Sequence, residues 1–102
     1  MATVELSVAE LRSAITQLLD AIETRFGLDL RLAEDLYWNV PVGAATVIDT
    51  PPELDLGSVV DDAKSAREFL SRQDNEFVAI WHEADHIAGV LRSIARLDLP
   101  HA

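Results

Sequence analysis

Apolar residues recur at three- and four-residue steps in three stretches of this chain, and between the first two the pattern breaks into short alternations. In the first stretch Val8, Leu11, Ile15, Leu18, Ile22 and Phe26 share one face, with Ala14 and Leu19 widening it, the spacing of an amphipathic helix. Ser7 and Glu10 sit at capping-box spacing, where each side chain can satisfy the other's backbone amide. Arg25 suits the negative end of the helix dipole, and Gly27 suits a left-handed C-terminal cap. The pattern predicts a helix over about residues 8–26.

Residues 28–57 differ in kind. Leu28, Leu30 and Leu32 alternate with Asp29 and Arg31, which predicts extended backbone. Pro41, Gly43 and Pro51-Pro52 punctuate the segment. Thr46-Val47-Ile48 reads as a short strand, with Leu54-Asp55-Leu56 to pair with it. Ala33 to Trp38 fits either a helical turn or the edge of a small sheet. Asp29, Glu34, Asp35, Asp49, Glu53 and Asp55 face Arg31 alone, so the segment carries 6 − 1 = 5 net negative charges. Its many apolar residues predict an ordered excursion with room for a short β-hairpin, because a long structureless loop is unusual in a compact domain.

Ser58 begins the next periodic stretch as an N-cap, with Asp61 and Asp62 in the first turn. Val59, Ala63, Ala66 and Leu70 trace one face and Arg67 and Arg72 lie toward the end, predicting a helix over about 58–72. After a polar connection with a cap at Asp74 or Asn75, Phe77, Ile80, Trp81, Ala84, Ile87, Ala88, Leu91, Ile94 and Ala95 predict a third helix over about 75–97, stopped by Pro100. The expected fold is mainly α: one domain spanning 1–102, a three-helix bundle with a long ordered excursion between helices 1 and 2.

Composition narrows the partners. Eighteen acidic residues against eight basic ones give a net charge of −10 across 102 residues, which disfavours nucleic acid and anionic membrane surfaces. With no cysteine there is neither a disulfide framework nor a thiolate metal site. No apolar run approaches the roughly 20 residues of a membrane span, and no secretory leader is visible. A cytoplasmic protein is the expectation.

One string suggests chemistry. His82-Glu83-Ala84-Asp85-His86 matches H-E-x-x-H, in which two imidazoles one turn apart bind zinc and the glutamate polarises the bound water. Three arguments count against a hydrolase. With Ala84 at the centre of the apolar stripe, His82 and His86 fall at roughly 160° and 200°, pointing away from the core. Only Asp98 and His101 follow as ligand types, and the longer motif fails because position 92 is Arg. The chain is also short for a substrate cleft. Ala79, His82, His86, Gly89 and Ser93 instead form a stripe of small and weakly polar residues, the kind that admits a second helix, so it is read as a partner or homodimer face. Asp35, Tyr37 and Trp38 are a second binding candidate, since aromatics with polar handles favour binding surfaces. Packing under the excursion is the plainer reading of those three.

The sequence therefore points to a small acidic, non-enzymatic interaction or regulatory protein without a cofactor, acting on a protein partner or on itself. Two alternatives stand beside it: metal binding or zinc hydrolysis at His82 and His86, and a small-molecule binder at Tyr37-Trp38.

Overall fold

The computed structural model describes residues 3–41, 53–72 and 77–99. The fold is mainly α: three helices, with a two-stranded antiparallel hairpin between the first and the second. Contacts along the chain fall into two compact units, Met1–Arg31 and Leu32–Ala102.

The first unit holds helix α1, Val8–Phe26. Its start is the expected capping box: the Glu10 amide donates to Ser7 Oγ at 2.9 Å and the Ser7 amide to Glu10 Oε1 at 3.2 Å. At the far end Gly27 has φ 89° and ψ −171°. The positive φ explains the glycine, but the conformation lies outside the left-handed helical region expected of it. Its amide still donates to the Glu23 carbonyl at 2.8 Å.

In the second unit, β1 (Leu36–Asn39) pairs antiparallel with β2 (Asp55–Ser58), with Tyr37 opposite Gly57 and Trp38 opposite Leu56. The hairpin expected within the excursion thus forms from a different pair of segments. Of the two readings of Ala33–Trp38, the edge of a small sheet holds for Leu36–Trp38, and Leu56 pairs with Trp38; the strand expected at Thr46–Ile48 lies outside the described residues. The register has a steric reason, since a Cβ on Gly57 would collide with the Tyr37 ring. β2 runs directly into α2 (Val59–Leu70), whose N-cap Ser58 accepts from the Asp61 amide at 3.3 Å. The Val59 amide donates to the Asp35 carbonyl at 3.0 Å, tying the start of α2 to the start of β1.

Helix α3 is Ile80–Asp98, so it begins five residues later than the periodicity predicts. Its N-cap is Ala79, without a side-chain bond; Asp74 and Asn75 lie outside the described residues. α2 and α3 pack together. The contact corrects the expected orientation of α3. Its buried residues are Glu83, Gly89, Ser93 and Ile94, so the helix turns its stripe of small and polar residues toward α2. The stripe read as core lies largely at the surface: Trp81 is 65% exposed and Ile80 76%, with Phe77 at 85% just before the helix. Among the described residues the buried hydrophobic side chains are Val59 and Ile94. No helix among the described residues is long and apolar enough to cross a membrane.

Candidate functional site

Where α2 meets α3, the close approach is made possible by Gly89. A Cβ there would collide with Asp62 Oδ2 and the Tyr37 hydroxyl. Tyr37 and Asp62 fill the space left by the missing side chain, and His86 joins them through Asp62. Tyr37, half-buried on β1, donates its hydroxyl proton to Asp62 Oδ2 at 2.5 Å. Asp62, on the first turn of α2 and only 3% exposed, accepts at its other oxygen from His86 Nδ1 on α3 at 2.8 Å. Each carboxylate oxygen therefore has a donor, which is the condition for burying it without a large penalty.

Tyr37 feels this surrounding. Its phenol is pushed up to about 12, first by burial, then by its hydrogen bond to Asp62 and that carboxylate's charge, with a further push from Asp85 and an opposing pull from Arg92. Losing the proton would set two negative oxygens against each other in a partly dry site.

One turn earlier on α3 a second carboxylate is buried. Glu83 is 5% exposed and takes His82 Nδ1 at 3.0 Å and the Arg72 guanidinium at 3.6 Å. Arg72 also donates to the Phe77 carbonyl at 3.3 Å, pinning the approach to α3. The imidazoles of His82 and His86 stand edge to face, with ring centroids 4.6 Å apart. No buried side-chain polar atom among the described residues lacks a partner.

The residues singled out in the sequence separate here. Gly89 and Ser93 are buried within the chain, and the Ser93 hydroxyl donates to the Gly89 carbonyl at 3.2 Å. His86 is engaged with α2, while His82 keeps 42% of its side chain exposed. Ala79 is the half-buried N-cap of α3. The directional argument against the histidines, that they point away from the core, is overturned by the position of His86 against α2. Tyr37 belongs to the buried network. Asp35 and Trp38 do not: Asp35 is exposed and meets Arg96 at 3.4 Å, and Trp38 is 73% exposed. Tyr37 and Trp38 do line a shallow groove of about 350 Å³ with Arg92, Ala95 and Arg96.

Sequence reasoning missed Asp62, assigning it to the helix dipole, and Arg72, for the same reason. Asp62 meets His86 and Tyr37 across 24 and 25 positions, and no local pattern marks such a partnership. The usable signal was Gly89, a helix-interior glycine that costs about 1 kcal/mol relative to Ala unless something needs its space. Compared with profiles of known protein families, with curated proteins and with solved structures, the chain matches none.

Proposed function

We propose that this protein is a small acidic interaction protein that meets a protein partner through the outward apolar side of α3. One observation carries the reading. α3 spends its small and polar side on α2 and leaves Phe77, Ile80, Trp81 and Ile87 exposed. Clustered apolar exposure of this kind marks interaction surfaces, and an accessible tryptophan is the commonest sort of anchor. The net charge of −10 favours a partner whose contact surface is apolar at its centre and basic at its rim. A second copy of the chain is the other occupant of the same face, with charge repulsion as its cost. Engagement of Glu83 by Arg72 and His82 speaks against a hydrolase, because the group that would polarise a metal-bound water is already occupied.

The test is Trp81→Glu and Ile80→Glu, both of exposed side chains. Light scattering over a concentration series reads self-association, and cross-linking in a lysate of the native source, with the variants as controls, reads other partners. Each substitution is expected to cost about 2 kcal/mol or more of binding with the far-UV circular dichroism unchanged. A full-length chain that stays monomeric and cross-links identically with and without the substitutions refutes the proposal. The groove beside Tyr37 and Trp38 favours a second reading, a small apolar acid held by Arg92 and Arg96. A rise in melting temperature with aromatic carboxylates that is lost in Arg92→Ala would support it.

A further inference from the structure

The histidine pair lies beside the face just described, the His82 ring standing edge-on to Trp81 with centroids 5.6 Å apart, and it has a built surround. His86 Nδ1 lies 2.8 Å from Asp62 Oδ1, and His82 Nδ1 lies 3.0 Å from Glu83 Oε1. An ionised carboxylate only accepts, so each Nδ1 is the donor, and a neutral ring then carries its lone pair on Nε2. Both carboxylates are buried and held from behind, Asp62 by the Tyr37 hydroxyl and Glu83 by Arg72. Ring orientation is thereby fixed by groups that solvent does not displace. Among the described residues no hydrogen bond ends on either Nε2.

We propose that Nε2 of His82 and Nε2 of His86 form an open two-histidine site for a divalent first-row transition ion, zinc in the first place. Three observations converge on it. The spacing of four residues puts both rings on one side of α3, one turn apart. Each ring has the carboxylate behind it that metal-binding histidines use to fix their tautomer and raise their basicity. The two rings are also neighbours, with centroids 4.6 Å apart. Neutral imidazole suits zinc, copper and nickel and gives no preference for calcium or magnesium. The described residues contain no cluster of three or more metal-ligating side chains, so water completes the coordination and the site stays open to a further donor.

The experiment uses the full chain, stripped with a chelator and dialysed, with zinc titrated by calorimetry and cobalt(II) followed by its visible absorption. The expected result is one ion per chain, bound by the wild type and by His101→Ala and lost in His82→Ala and in His86→Ala. Asp62→Asn is expected to weaken binding about 10–100-fold, the usual effect of removing such a carboxylate. Circular dichroism reports whether that variant is folded, and if it is not, the two histidine variants decide. Absence of uptake by the wild type, or uptake that survives either histidine substitution, overturns the proposal. Neither outcome bears on the apolar face of α3, which the Trp81 and Ile80 variants test separately.

Discussion

Tyr37 is the residue in which the environment of the α2–α3 contact becomes measurable. Held protonated up to about 12 in the folded chain, its phenol ionises near about 10 when unfolded. Between those values the unfolded state gives up a proton that the folded state keeps. Its contribution to stability is therefore whole below about pH 10, falls as pH rises through the interval, and is gone above about pH 12. Tyr37→Phe should flatten that part of the stability profile, as read from urea midpoints across the interval; an unchanged slope would mean the phenol is not held as described. Gly89 offers a second test. Alanine would gain about 1 kcal/mol of helix propensity, yet its methyl meets Asp62 and Tyr37, which are bonded to each other and cannot both retreat. Overpacking of this kind costs about 1–3 kcal/mol, so Gly89→Ala should lower the denaturation free energy by about 1 kcal/mol net rather than raise it.

At the scale of the element, α3 asks which of its two sides is the inner one. The structure makes Ile94, 6% exposed, part of the core and Trp81, 65% exposed, part of the surface. Ile94→Ala should therefore cost about 2–5 kcal/mol, and Trp81→Glu should change stability by no more than about 0.5 kcal/mol; equal losses would restore the orientation read from periodicity. α1 gives the contrasting case, because everything that starts it is local. Ser7→Ala breaks the capping box and should cost about 1 kcal/mol, seen as a lower melting temperature by circular dichroism at the helix band. Ser7 and Glu10 were legible in the sequence, as was Ser58 as the cap of α2, since caps act within four residues of themselves; Gly27 was legible as the end of α1 but not in its conformation. The pairing of Tyr37 with Gly57 was not legible: twenty residues separate them, and other alternating segments competed for the same partner.

For the molecule as a whole the governing quantity is charge. With eighteen acidic and eight basic residues, self-repulsion opposes association near neutrality and fades on acidification toward the pI of about 4.4. Solubility should pass through a minimum there, and a turbidity series that shows none between about pH 4 and about pH 5 would count against it. The existence of three helices, the N-caps of α1 and α2 and the acidity follow from the sequence alone, because they rest on spacing within a few residues and on sums that ignore order in space. The tertiary structure decided which side of α3 is inside. Periodicity divides a helix into an apolar and a polar side but does not say which one a neighbour will approach. Here the neighbour is α2, which comes close where Gly89 leaves room and where Asp62 can take Tyr37 and His86 together. A buried carboxylate needs donors on both oxygens, and in this chain those donors lie more than twenty residues away in opposite directions.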